Sequence, residues 1–297
     1  MKVAFIGLGS IGNRHLTNLR TLCTERQIPL EVHAFRQTIT GKLNGIEKQF
    51  LNSDKVYENY DIVFITNPTS LHEETILKFQ DHTKLMVIEK PVSISEIDES
   101  KLNPNTTYYV NCPLRHSAVY KLLTEFVDAS KVIAARAICS SYLPNWRKGS
   151  DYTTSYSANS ELGGGVDLDL IHEFDYITAF LGMPNEVIKL ASKLSSLQIN
   201  SNDFATYIAQ YDSKCVELHL DYFGRITKRE IELYTNDDTF VLDFTNKELR
   251  SSKASIKAED EDMYINEMNY ILDLYENKVT NINDIHNANE VLKVSKV

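Results

Sequence analysis

The most constraining feature of this chain lies at its start. Four apolar residues, Val3-Ala4-Phe5-Ile6, run without a gap into Gly7-Leu8-Gly9-Ser10-Ile11-Gly12, and a helical pattern follows over Asn13 to Leu22. A buried strand feeding a G-x-G-x-x-G turn that opens a helix is compatible with few folds. The first glycine permits the tight turn, the second lets main chain approach a pyrophosphate, and the third lets helix and strand pack closely. The phosphates then rest at the helix N-terminus. The spacing predicts a dinucleotide-binding α/β unit in which Gly7, Gly9, Ser10, Ile11 and Gly12 hold the cofactor.

The next hundred residues keep that rhythm. Short apolar runs at 2–6, 30–35, 61–66, 85–89 and 107–111 alternate with helical patterns, as parallel strands covered on both faces do. Ser70 with Glu73, and Ser93 with Glu96, have capping-box spacing and mark expected helix starts. Such alternation predicts a doubly wound parallel sheet whose ligands lie at the carboxyl ends of the strands. Gly7, Asn67, Lys90 and Asn111 fall there. The second strand ends in Ala34-Phe35-Arg36-Gln37-Thr38, with no acid to bind the ribose hydroxyls of NAD. A guanidinium at Arg36 suits a 2′-phosphate, so NADP is expected in preference to NAD.

Beyond about residue 130 the period changes to two. Val216, Leu218, Leu220 and Tyr222 alternate with Glu217, His219 and Asp221, and residues 227–235 and 238–244 read alike, joined by Asn236-Asp237-Asp238. An antiparallel sheet with one polar face is the expectation. Tyr264, Met268, Ile271, Leu272 and Tyr275 fall at helical spacing. Between these regions, residues 142–165 form a long segment poor in aliphatics that carries Trp146, Arg147, Tyr152 and Tyr156. Loops of this length tend to be functional or disordered, and the aromatics favour a lid that closes over substrate.

Gly163-Gly164-Gly165 opens a stretch holding Asp167, Asp169, His172, Glu173 and Asp175. If a helix begins near Val166, then Asp169, His172, Glu173 and Tyr176 share one face. Lys90 ends a strand, and Pro91 biases it to an extended conformation; such a lysine can hold or exchange the proton of a reacting hydroxyl. Taken singly, Lys90 also reads as a surface charge and His172 as a hydrogen-bonded structural residue. No second histidine stands at ligand spacing, so no metal is expected, although a lyase using Asp167, Asp169 and His172 is a distinct alternative.

Of 297 residues, 41 are Asp or Glu and 31 are Lys or Arg, and the net charge of −10 argues against nucleic acid and anionic lipid as partners. No apolar run approaches the ~18–20 residues that span a bilayer. The four cysteines are scattered without a C-x-x-C pair and read as reduced thiols, so the cytoplasm is the expected location.

Taken together, Gly7 to His15, the turn Thr66-Asn67-Pro68-Thr69-Ser70-Leu71-His72, Glu89-Lys90-Pro91, and Gly163 to Asp175 resemble the Gfo/Idh/MocA oxidoreductases, over essentially the whole chain. The resemblance implies a Rossmann domain, expected over 1–115, and a C-terminal α/β domain with an open, mostly antiparallel sheet, expected over 116–297. It implies NAD(P), held also by Thr66, Asn67, Pro68, His72, Glu89, Lys90 and Asn111. A sugar or nucleotide sugar is the implied substrate, contacted by Lys90, Arg115, Trp146, Arg147, Tyr152, Asp169 and His172. Lys90 and His172 match the family's proton-handling residues. Trp146 to Tyr156 and His172 to Tyr176 look like a subgroup of surface-sugar biosynthesis. The family's aspartate commonly stands four residues before the histidine, whereas Asp169 stands three before. Related proteins pair subunits through the C-terminal sheet, which implies a homo-oligomer, dimer or tetramer. A dinucleotide-binding sensor without turnover is the reading from another class.

Overall fold

Phe5, Phe64 and Val87 on one face, and Ala4, Val63 and Met86 on the other, are wholly sealed from water, which fixes the first run of strands as a sheet covered on both faces. The computed structural model describes every residue except Thr40, Tyr57, Lys148 and Val297. It divides into two units, Met1–Pro113 with Tyr264–Asn289, and Leu114–Met263 with Glu290–Val297.

In the first unit, β1 (Lys2–Ile6), β2 (Glu31–Arg36), β3 (Lys48–Leu51), β4 (Tyr60–Ile65), β5 (Thr83–Ile88) and β6 (Thr107–Val110) form a sheet. Its order is β3-β2-β1-β4-β5-β6, and every neighbouring pair is parallel. Helix α1 (Ser10–Glu25) follows β1 and α2 (His72–Phe79) follows β4. Because β1 is flanked by β2 and β4, the strand order reverses beside it, the point where open α/β sheets bind ligands. Phe5 and Phe64 stack across β1 and β4 with ring centroids 4.6 Å apart. The five expected strands lie within one or two residues of those observed. β3 was not foreseen, since Lys-Gln-Phe-Leu at a sheet edge carries no apolar run.

Neither Ser70 nor Ser93 starts an α-helix. Ser70 lies in a single turn, Thr69–Leu71, and α2 starts at His72 without a side-chain cap. Around Ser93 there is no helix, because the backbone there bonds elsewhere. His72 meets the carbonyls of Pro91 and Val92, and Asn289 bonds both the N–H and the C=O of Ile97. Tertiary partners have replaced the local ones.

The second unit contains α3 (Ala118–Phe126), β7 (Ala134–Tyr142), the short α4 (Val166–Asp169), α5 (His172–Leu181), and the strands β8 (Glu186–Ser192), β9 (Phe204–Gln210), β10 (Cys215–Asp221), β11 (Phe223–Tyr234), β12 (Thr239–Asp243), β13 (Glu248–Ser251) and β14 (Ser255–Lys257). The sheet order is β14-β13-β12-β11-β7-β10-β9-β8, antiparallel except for the pair β7 and β10. Val216, Leu218 and Leu220 face the core as the alternation predicts. Asp221 departs from its expected place on the polar face. It is 3% exposed and accepts hydrogen bonds from the N–H groups of Phe223 and Gly224, capping the turn into β11.

Two C-terminal helices follow, α6 (Met263–Tyr275) and α7 (Ile285–Lys296). The sequence reading placed everything after residue 116 in one domain, whereas Tyr264–Asn289 belongs to the first unit. There Met268, Ile271 and Leu272 share a core with Val3, Phe5 and Leu19. Periodicity shows that α6 has an apolar face but carries no information about which sheet covers it.

Candidate functional site

The expected site residues fall into two clusters, one in each unit. In the first, the three glycines meet three different surroundings. Gly7 has φ +88°, and a Cβ there would lie 2.9 Å from the backbone of Asn67. A Cβ on Gly12 would lie 2.7 Å from the Gly7 carbonyl and from Thr66 Oγ1. At Gly9 a Cβ would meet nothing within 4 Å. Space is thus left at the glycine that the motif expects to admit a ligand. Helix α1 begins at Ser10 with no side-chain cap and no acid in its first turn, so its leading N–H groups are open to an anion. These features fit a bound pyrophosphate.

The turn after β4 braces that loop. Thr66 Oγ1 donates to the Gly7 carbonyl at 2.5 Å, and Asn67 Nδ2 donates to Thr75 Oγ1 at 2.9 Å. His72, placed by the sequence among the cofactor ligands, is buried and acts as a strut. One ring nitrogen faces the Asn67 carbonyl at 2.9 Å and the other faces Pro91 and Val92 at 3.0 and 3.2 Å. It thereby ties the turn after β4, which includes Pro68, to the loop after β5 that carries Lys90. Burial holds its pKa below the usual imidazole value, despite the facing carbonyls.

Glu89 accepts from Asn111 Nδ2 at 2.8 Å and stands 2.6 Å from His15 Nε2. Burial by itself would raise the Glu89 carboxyl, but His15 and Asn111 hold it below its ordinary value. His15 is raised in turn, since the contact with Glu89 outweighs its own burial. The peptide bond between Lys90 and Pro91 is cis. Arg36, at the end of β2, is half-buried and reaches Gln49 Oε1 at 3.4 Å. Below this layer, Glu267 accepts from Tyr109 Oη at 2.9 Å and from the Cys112 N–H at 2.7 Å, and burial pushes its carboxyl up to about 7.

In the second unit the expected single helix is broken. α4 ends at Asp169, Leu170 leaves helical geometry (φ −94°, ψ 21°), and α5 begins at His172. The shared face of Asp169 and His172 is therefore not formed as one helical stripe. Asp169 Oδ2 accepts from Ser157 Oγ at 2.5 Å and Tyr222 Oη at 3.2 Å. His172 Nε2 instead lies 2.5 Å from Arg229 Nη2 and 3.2 Å from Glu173 Oε1. Arg229 also places Nε 2.8 Å from Glu173 Oε1 and Nη2 3.4 Å from Cys139 Sγ.

The remaining expected substrate contacts are spread. Arg115 grips Asp175 with two nitrogens, at 2.8 and 2.6 Å, and this pair is largely buried. Trp146 is 40% exposed, donates from Nε1 to Ser141 Oγ, and meets Tyr222 edge-on. Arg147 is exposed and Tyr152 half-buried, with Tyr152 Oη accepting from the Gln198 N–H. The long segment expected to act as a lid is built from short 3-10 turns. It is stitched to residues 198–202 through Ala158, Ser157, Ser160 and Val166; Lys148 within it lies outside the described residues. Gly164 serves close packing there, since a Cβ would lie 2.2 Å from the Tyr156 carbonyl.

The sequence reading missed His15, Glu267 and Arg229. His15 had a signal, three residues after Gly12 and so on the helix face that packs toward the sheet. The other two had none.

Residues 1–102 match the model of an oxidoreductase family with an NAD-binding Rossmann fold. Over 194 residues the chain is 28% identical to scyllo-inositol 2-dehydrogenase (NAD(+)) of Bacillus subtilis (strain 168), covering 61% of this chain and 54% of that protein. The chain thus spans about half the length of the curated relatives it matches. Its fold superposes on an oxidoreductase from Thermotoga maritima with a TM-score of 0.80 at 17% identity, over 100% of this chain and 94% of the other. A dehydrogenase from Bordetella pertussis, solved with NADH and UDP-GlcNAcA, gives a TM-score of 0.78 at 13% identity over 99% and 95%. No helix among the described residues is long and apolar enough to cross a membrane. With the glycine loop, the Thr66–His72 turn and the Glu89-Lys90-Pro91 strand end all in place, residues 1–102 carry the features of the Gfo/Idh/MocA oxidoreductase model that they match.

Proposed function

We propose that this protein is an NAD(P)-dependent oxidoreductase acting on a hydroxyl-bearing or ketone carbon of a sugar or nucleotide sugar. The observation that carries the reading is the division of labour among Gly7, Gly9 and Gly12 at the bare N-terminus of α1. The dinucleotide, when bound, supplies or accepts the hydride. Gly7 to Gly12 hold its pyrophosphate, and Arg36 meets a 2′-phosphate, which makes NADP the cofactor in preference to NAD. Glu89, held by His15 and Asn111, fixes the strand end from which Lys90 projects.

Lys90 and His172 handle the proton of the reacting hydroxyl, with Asp169 as an orienting group. Trp146, Arg147 and Tyr152 are the substrate contacts, the indole offering a face for the C–H side of a sugar ring. The sugar class is supported by the names of the relatives, which act on inositol, and by the UDP-sugar bound to a structural neighbour. Homo-oligomerisation belongs to the same reading.

The metal-dependent lyase is disfavoured because its three donors are committed to different partners. Asp167 pairs with Lys189 at 3.0 Å, Asp169 bonds Ser157 and Tyr222, and His172 faces Arg229. Steady-state assays with NADPH and NADH over panels of sugars, polyols and UDP-sugars test the proposal. Turnover of at least one supports it; dinucleotide binding with no turnover across the panels establishes the sensor instead.

A further inference from the structure

Cys139, His172 and Glu173 offer three donor atoms within 4.8 Å of one another, the arrangement of a small cation site. The cation against them is the protein's own. Arg229, opposite Cys139 in the ladder between β7 and β11, directs its guanidinium at all three. Its Nε has no access to water, and Glu173 is fully buried beside it.

A guanidinium has only donors and stays charged at any relevant pH. A ring nitrogen 2.5 Å from Arg229 Nη2 must therefore present its lone pair. Glu173 Oε1, 3.2 Å from the same nitrogen, is an acceptor and demands the reverse. Both demands cannot be met. The guanidinium lies closer, and Glu173 Oε1 has the charge of the same guanidinium 2.8 Å away at Nε, although neither atom makes a hydrogen bond. A proton added to Nε2 would set two positive groups against each other at hydrogen-bond distance.

Cys139, Glu173 and Tyr176 also face this cluster. Burial pushes the Cys139 thiol up to about 12, so it stays neutral. Burial opposes ionisation of Glu173, but the Arg229 guanidinium beside it holds its carboxyl below the ordinary range, so its charge answers that of Arg229. Tyr176, also buried here, is held well above its ordinary value and stays neutral.

We propose that Arg229 is a positioning residue that locks His172 as the neutral tautomer with its proton on Nδ1. His172 then meets the reacting oxygen as a hydrogen-bond donor and does not gain the substrate's proton. This rests on the function proposed above and divides the labour within it. In the oxidative direction the substrate carbon gives up its hydride to the cofactor and the hydroxyl proton passes to the Lys90 amine. His172 keeps its own proton throughout and steadies the charge on the oxygen; reduction runs the same transfers backwards.

The test is nitrogen NMR on the full-length protein with labelled histidine, the His172 signals being assigned by their loss in His172→Gln. The expected result is a protonated Nδ1 and an unprotonated Nε2 in wild type, with the ring uncharged from about pH 8 to pH 5 although a free imidazole charges near 6.5. Arg229→Met is expected to let the ring take up a proton in that range, and to add a new acidic limb to the kcat/KM profile. Arg229→Lys keeps a cation, and its ring should stay uncharged. A protonated Nε2 or a ring that charges in wild type overturns the proposal, as does an Arg229→Met protein that titrates like wild type. If Arg229→Met does not fold, the wild-type tautomer together with Arg229→Lys decides. The ring signals do not depend on turnover. A locked neutral ring in a protein inactive on every sugar would overturn the proposed function alone, and a charging ring in an active enzyme would overturn only the lock.

Discussion

His15 Nε2 stands 2.6 Å from Glu89 Oε1, so a residue of the helix that follows the glycine loop holds the strand end that carries Lys90. The link makes the first unit sensitive to pH in a definite sense. His15 is raised above 6.5, so its contribution is complete below 6.5 and fades as pH rises through the raised value. Glu89 is lowered below 4.5, so its contribution is present above 4.5 and is lost as pH falls through the lowered value. The pair is in full force between 4.5 and 6.5. Glu89→Gln is therefore expected to lower Tm more at about pH 5.5 than at about pH 8.5. Thermal unfolding at the two values checks this, and equal losses would contradict it.

Gly9 and Gly12 are expected to respond differently to alanine. Gly9→Ala adds a methyl into open space, so Tm should hold while dinucleotide affinity falls, because the methyl fills the room left for the pyrophosphate. Gly12→Ala drives a Cβ to 2.7 Å from the Gly7 carbonyl and should lose roughly 1–3 kcal/mol of stability as well. Calorimetry of binding alongside melting curves separates the two outcomes.

Arg36 should set cofactor choice. NADPH is expected to bind more tightly than NADH, and Arg36→Ala should remove a charged hydrogen bond worth roughly 1.5–3 kcal/mol, a loss of about tenfold or more in NADPH affinity. NADH affinity should barely move. Equal affinities in wild type would remove Arg36 from this role.

Lys90→Met should leave dinucleotide binding intact and lower turnover by roughly 10²-fold or more, the usual cost of losing a proton-transfer group. Near-normal turnover would show that Lys90 does not take part.

On the outer face of the second sheet, Ile188 and Ile208 lie opposite each other in the β8–β9 ladder, 64% and 48% exposed. The same row continues through Glu217, Arg136 and Glu232. Apolar residues flanked by complementary charges suit a symmetric pairing of sheets. Light scattering should give a particle larger than the 33.9 kDa chain, and Ile208→Glu should shift it toward the monomer. A wild-type monomer at micromolar concentration would rule the pairing out.

Local chemistry made one half of this protein legible. The turn from Ile6 to Gly12 is specified by residues adjacent in sequence, and the alternation from Val216 to Tyr222 states which side of a strand is buried. Both depend on backbone geometry of period two or 3.6, which a sequence displays directly. The break at Leu170 and the transfer of Tyr264–Asn289 to the first unit depend on which surfaces meet, and no local pattern records that. Arg229 is the sharpest case. It stands 57 residues from His172 and is brought to it only because β11 pairs with β7 in a register that sets Arg229 opposite Cys139. Sequence displayed the candidates for the chemistry, and the pairing of strands decided which nitrogen of His172 has a guanidinium against it.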